Sequence, residues 1–297
     1  MNRRSFAGTM AAAAAVGATS AGRMAWGAGL AAESGGDAFE LSVMLWTVFR
    51  DLPFEQRLER VAEAGYHKVE LVGEYKDWTD ADFARAQSAC KRLGITFDAT
   101  AGLPHGAGDP AGREAFLADW KQAIPTMERL AIPAMIALSG NVIEGRTRAE
   151  QHAATIEALK QAVKLIEGRT MGGEPMRLLL ECIDPEENPK YFLTSAAEAM
   201  EIVRAVDHPQ VQFLYDLYHE QIGHGNLLEK LEKNIDVVGL IHVADVPGRH
   251  QPGTGEINYA SVYRTLKRLG YKHTVAMEFL PLGDEVEALR RARAEVG

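Results

Sequence analysis

The sequence is short of the features that mark several protein classes. Two cysteines in 297 residues, Cys90 and Cys182, allow neither a disulfide framework nor a thiolate zinc site, and both read as packing residues. Basic residues are outnumbered, 32 Lys plus Arg against 41 Asp plus Glu for a formal charge of -9, so no positive field exists to draw nucleic acid or an anionic membrane. No apolar run after the N-terminal region nears the roughly 20 residues that span a bilayer, so no membrane span is expected there. No Gly-x-Gly-x-x-Gly follows the first strand candidate, and the glycine-rich stretch GRHQPGTGEINY lacks the Lys-Ser/Thr that ends a phosphate-cradling loop. What is present is ordinary globular composition, 46% hydrophobic and 25% charged, suited to a small-molecule ligand.

The first acidic residue is Glu33. Before it run MNRRSFA, a Gly/Ala/Thr/Ser-rich stretch and a small-residue end near Ala31 and Ala32, the order of a removable export signal over 1–32. Arg3 and Arg4 followed by Phe6 resemble a twin-arginine signal, which implies the twin-arginine export machinery as a partner and a periplasmic or otherwise exported product. Loss of that segment removes three arginines and no acid, leaving 29 basic against 41 acidic residues and a formal charge of -12.

From Leu41 onward, eight short apolar runs alternate with amphipathic stretches, and no Pro/Gly/Ser-rich linker divides them. The runs are Leu41 to Trp46, Lys68 to Val72, Thr96 to Ala99, Ala134 to Ala137, Arg177 to Leu180, Val211 to Tyr215, Val237 to Val243 and Thr274 to Met277. Helices are expected over Phe54 to Ala64, Ala81 to Leu93, Arg113 to Leu130, Arg148 to Glu167, Ala196 to Val206, Tyr259 to Leu269 and Asp284 to Val296. Gly65, Gly94 and Gly270 sit where C-terminal caps belong. Strand–helix alternation requires a parallel sheet, and eight units over 33–297 suit a single-domain α/β fold, the (β/α)8 TIM barrel, better than an open doubly wound sheet.

Active sites of such barrels lie where strands end, and the second half of the chain places a polar residue at each strand end. Glu181 follows RLLL, Asp216 follows VQFLY, His242 lies in VVGLIHV and Glu278 follows TVAM. Neighbouring strands lie about 4.8 Å apart, so the four side chains should converge. Three carboxylates and one imidazole form a set for one divalent cation, Mn2+, Mg2+ or Co2+, with Zn2+ also compatible. His219, three residues past Asp216, and Arg249, seven past His242, are candidate substrate-binding residues: an imidazole can donate to a substrate oxygen, and a guanidinium matches a carboxylate. Trp46 and Phe49 are candidates for an apolar wall, Glu256 for a group behind the metal ligands in a lid formed by the glycine-rich loop, and Glu70 for an inward-reaching carboxylate.

The segments FLYDLYHEQIGHGNL, IHVADVPGRHQPGTGEINY and LGYKHTVAMEFLP resemble the hydroxypyruvate isomerase family, within the xylose-isomerase-like sugar isomerases and epimerases. The resemblance runs from Leu41 to Val296 and is strongest from Leu178 to Pro281. It implies a barrel with one cation on Glu181, Asp216, His242 and Glu278. The two glutamates, Glu181 and Glu278, double as the catalytic acid/base pair that shifts a proton through an enediolate, taking hydroxypyruvate to tartronate semialdehyde. Two positions depart from the family pattern. The family carries Gln where His242 stands, while ketose 3-epimerases carry His, and it shows Pro where Cys182 stands. A ketose 3-epimerase, an inosose dehydratase-like lyase and a non-catalytic sugar-binding protein therefore stay open, as does self-association. A multi-zinc phosphodiesterase of the endonuclease IV type is disfavoured by nine histidines and the acidic balance.

Overall fold

The computed structural model describes residues 39–297, so the leader expected over 1–32 lies outside the described residues. Eight parallel strands pair in chain order: β1 (Glu40–Met44), β2 (Lys68–Leu71), β3 (Thr96–Thr100), β4 (Ala134–Leu138), β5 (Arg177–Glu181), β6 (Val211–Asp216), β7 (Val238–Val243) and β8 (Thr274–Met277). β8 closes onto β1 with Thr274 opposite Glu40, which completes the expected (β/α)8 barrel. Around it run α1 (Phe54–Glu63), α2 (Asp80–Leu93), α3 (Arg113–Leu130), α4 (Arg148–Val163), α5 (Ala196–Val206), α6 (Leu217–Gly223), α7 (Leu227–Asn234), α8 (Tyr259–Leu269) and α9 (Glu285–Ala294).

Local chemistry sets the helix ends. Thr79 and Thr147 form capping boxes with Asp82 and Glu150, while Asn258 and Asp284 accept from the backbone N–H groups of Ser261 and Glu287. Gly94 and Gly270 end α2 and α8 in the left-handed conformation, as their spacing predicts.

Three differences from the expected pattern stand out. β1 stops at Met44, and Leu45–Thr47 form a 3-10 turn that carries Trp46 off the strand. α4 ends at Val163, and a two-residue-per-strand hairpin, Thr170–Met171 with Glu174–Pro175, precedes β5. The β6–β7 connection, which carries no helix in the expected pattern, holds both α6 and α7. Asp216 starts α6 directly at the strand end by accepting from the N–H groups of Tyr218 and His219.

Strand pleating sorts the side chains into two cores. Leu178, Leu180, Phe213, Tyr215, Ile241 and Met277 face outward into the large core beneath the helices. Met44, Ala99, Ala134, Ile136, Leu179, Leu214, Leu240 and Ala276 form a separate cluster inside the barrel. Two residues beyond Leu179, Leu214, Leu240 and Ala276 on the same inward face stand Glu181, Asp216, His242 and Glu278. The inner apolar layer is thus the floor on which the four polar groups rest. Leu179 is fully buried in that layer, and Leu179→Ala is expected to lower stability by about 2–5 kcal/mol, read as a reduced denaturation midpoint in urea.

Candidate active site

The four strand-end residues converge as their spacing predicts. One ligand atom from each of Glu181, Asp216, His242 and Glu278 lies within 4.8 Å of all the others, and every one of these residues is at most 7% exposed. Glu181, His242 and Glu278 line a cavity of roughly 300 Å³ at the barrel mouth. Its polar half comes from β5–β8, and its other half is apolar: Trp46, Val72, Ala101 and Leu138 follow the inner faces of β1–β4.

Each ligand candidate is held differently. Asp216 spends Oδ1 on the α6 cap, at 2.7 Å from Tyr218 N and 3.2 Å from His219 N, and turns Oδ2 toward the site. Glu278 accepts from Trp46 Nε1 at 2.8 Å and from Arg249 Nη2 at 2.6 Å, while its Oε2 lies 2.7 Å from His242 Nδ1. Burial acts to raise the Glu278 carboxyl, but Arg249, His242 and the Trp46 hydrogen bond together hold it below the ordinary carboxylate range. Glu181, in contrast, accepts no side-chain hydrogen bond among the described residues. Burial, reinforced by the charges of Glu278 and Asp216, pushes it up to about 7 even though His242 pulls the other way.

His242 exposes one nitrogen to this cluster because the other is taken. Its Nε2 lies 2.9 Å from Glu70 Oε2, reached across the barrel from β2, which leaves Nδ1 facing the three carboxylates. Burial disfavours the charged ring, but Glu70 and Glu278 outweigh it and raise the His242 pKa. The inward reach of Glu70 is therefore realised, and its target is the histidine.

The donor set passes the test for a cation. Three buried carboxylates and one imidazole nitrogen converge within 4.8 Å of one another, with Glu70 orienting the ring from behind, and this oxygen-rich set fits Mn2+, Mg2+, Co2+ or Zn2+.

Both predicted substrate contacts reach the same cavity. His219 lies 2.7 Å from Asp184 through Nδ1, and its Nε2 lies 3.1 Å from Arg249 Nη1. Burial disfavours the charged ring, but the Asp216 charge and the Asp184 hydrogen bond outweigh it, with Arg249 opposing them, and raise the His219 pKa to about 9. Arg249 sits on a backbone with φ of 57°, and its guanidinium packs 4.9 Å from the centre of the Tyr218 ring. Arg249 is the only residue of the glycine-rich loop that lines the cavity. Asp245 folds that loop by accepting from the N–H groups of Val246, Gly255 and Ile257 at 2.8–3.0 Å.

Two expectations are corrected. Glu256 is exposed and bonds Gln221 at 2.9 Å, because the loop turns its glycine-rich tip outward, so it backs no metal ligand. Phe49 packs in the outer core and does not wall the cavity, because the 3-10 turn after β1 carries the chain away from the barrel axis. Asp184 and Glu187, in the loop after β5, had no signal in the sequence beyond an acid-rich run. Asp184 accepts from the N–H groups of Glu186 and Glu187 as well as from His219, and Glu187 bonds the Tyr218 hydroxyl at the cavity edge.

Replacing the group behind the histidine tests this arrangement. Glu70→Gln keeps the side-chain shape but removes the charge on Nε2, and it is expected to weaken Mn2+ binding about 10- to 100-fold by titration calorimetry while the thermal midpoint changes little.

Comparison with known proteins identifies the family of the fold. A family model described as "Xylose isomerase-like TIM barrel" matches residues 58–294. The human protein named putative hydroxypyruvate isomerase is 31% identical over 249 residues, covering 80% of this chain and 88% of that protein. The 2-oxo-tetronate isomerase of Haemophilus influenzae is 30% identical over 250 residues, covering 82% and 95%. A solved structure described as an AP endonuclease of family 2 from Brucella melitensis superposes with a TM-score of 0.74 at 28% identity, covering 84% of this chain and 96% of that one. The chain belongs to the xylose isomerase-like TIM-barrel family and, within it, to the hydroxypyruvate isomerase-like isomerases.

Proposed function

We propose that the protein interconverts a small 2-oxo-3-hydroxy acid and its aldehyde or 3-oxo isomer, with hydroxypyruvate and tartronate semialdehyde as the pair, on a divalent cation held by Glu181, Asp216, His242 and Glu278. The observation that carries this reading is one cavity in which a cation-binding set, an unpartnered carboxylate, a hydrogen-bonding imidazole and a guanidinium all meet. When bound, the cation supplies Lewis-acid stabilisation of negative charge on adjacent substrate oxygens. Arg249 pairs with the substrate carboxylate and so fixes which end of the molecule enters first. Glu181, with no side-chain hydrogen bond among the described residues, takes the proton from the hydroxyl-bearing carbon and returns it to the former carbonyl carbon. His219, with Asp184 behind it, carries the hydroxyl proton from one oxygen to the other. Proton transfer by such positioned groups is worth roughly 10²- to 10⁴-fold, with positioning and charge stabilisation adding to it. The acidic balance of the chain and a single four-ligand set favour a small substrate over a nucleic acid.

The test is proton exchange. Protein with Mn2+ in D2O is expected to place deuterium on the carbon skeleton of hydroxypyruvate, followed by NMR. Label in ketoses or inososes instead would assign the site to uncharged sugars, and label in none of them would overturn the isomerase reading for this site. Arg249→Leu is expected to lower kcat/KM for a carboxylate substrate by about 10- to 100-fold, the scale of a charge-assisted hydrogen-bonded pair. Unchanged turnover would remove its carboxylate role. We also propose that residues 1–32 direct twin-arginine export. Changing both Arg3 and Arg4 to Lys should then retain the protein in the cytoplasmic fraction of a host carrying that pathway.

A further inference from the structure

The apolar half of the cavity rim is open at one place. Trp46, Val72 and Leu138 are bulky, but the residue after β3 is Ala101, and this side chain also borders a second cavity of roughly 400 Å³. That lateral cavity lies between the loops after β2 and β3 and the helix α3, and Lys76, Gln122, Thr126 and Tyr75 give it polar groups.

Lys76 is the cation of this space. Its side chain folds back over Gly73: a Cβ built there would meet Lys76 Cε at 2.6 Å, and the φ of 77° at Gly73 favours glycine in any case. Its Nζ lies 3.5 Å from where a Cβ at Gly102 would stand, one residue from the shared wall. Two glycines thus clear the path that brings an ammonium to the edge of the substrate cavity. Lys76 has no ion pair among the described residues. The acid that lines the same cavity, Asp119, is already engaged by the backbone N–H and the ring Nδ1 of His105, at 3.0 and 2.9 Å.

We propose that this lateral cavity is a subsite for the far end of a longer substrate, and that Lys76 there binds a terminal anionic group, a phosphate or a second carboxylate. The inference rests on the reading that Arg249 holds the near carboxylate at the β5–β8 side. The chain of the substrate then passes over Ala101 toward β2 and β3. Substrates of four or more carbons with a charged tail would be preferred over hydroxypyruvate itself.

The experiment is titration calorimetry of the Mn2+-loaded full chain with three four-carbon acids: D-erythronate, 4-phospho-D-erythronate and tartrate. None has a 2-oxo group, so all bind without reacting, and they differ in a hydroxyl, phosphate or carboxylate terminus. The phosphate, the carboxylate or both should bind roughly 5- to 20-fold more tightly than the hydroxyl terminus, with the gain shrinking at high salt. In Lys76→Met, a substitution at an exposed side chain, that gain should vanish while D-erythronate binds as before. The terminus that shows the gain identifies the group. Equal affinities, a gain that survives Lys76→Met, or no binding of any probe overturns the subsite. If the binding pattern holds and no deuterium exchange is seen, the subsite stands and only the assigned reaction falls.

Discussion

Pleating in a closed parallel barrel gives each strand one inward residue in every two, and this parity places everything else in the molecule. On β5, β6, β7 and β8 the inward series runs from an apolar residue in the barrel core to a polar one at the mouth: Leu179 to Glu181, Leu214 to Asp216, Leu240 to His242, Ala276 to Glu278. A one-residue slip in any of these strands would send a candidate ligand into the outer core and an outer-core side chain such as Leu180, Tyr215, Ile241 or Met277 into the site. The packed interior therefore acts as the ruler for the chemistry. Its close fit is what sets the 4.8 Å convergence of four groups that are far apart in the chain.

Concentrating three carboxylates in a buried space carries an electrostatic cost, and the surrounding residues answer it unevenly. Glu278 receives Arg249, His242 and Trp46, Asp216 is tied to a helix N-terminus, and Glu181 receives no side-chain donor. The asymmetry separates a carboxylate fixed in place from one free to exchange a proton, although both are glutamates at matching positions. Glu70 extends the arrangement inward, so that His242 bridges two carboxylates and presents a single nitrogen to the cluster.

The strands and the four ligand candidates were legible because each lies at the end of a short apolar run, a local signal that survives without any knowledge of contacts. His219 and Arg249 could be found because they follow ligands at short spacings. Glu70 was harder: it sits inside KVEL, and its partner lies 172 residues away, so only the closed barrel reveals that it crosses to a histidine. Asp184 and Glu187 belong to a loop with three acids in six residues, CIDPEE, where no periodicity distinguishes those that bond His219 and Tyr218 from the third. The helices α6 and α7 are short, with Gly223 ending the first and Gly225 between them, and this breaks the amphipathic pattern that betrays longer helices. Glu256 misled for the opposite reason: an acid in a glycine-rich loop next to a strand end has the look of a site residue, and only the course of the backbone turns it outward.

The split of the mouth into a polar half and an apolar half separates two tasks along the chain. The four convergent polar groups descend from β5–β8, and the apolar wall that faces them descends from β1–β4. Drift in the first half of the sequence can therefore reshape which molecule is accepted without disturbing how it is converted. Among related barrels, the N-terminal half should accordingly be the one that diverges as substrates change, with Ala101, the small side chain shared by the two cavities, the point at which added bulk would limit how long a substrate can be.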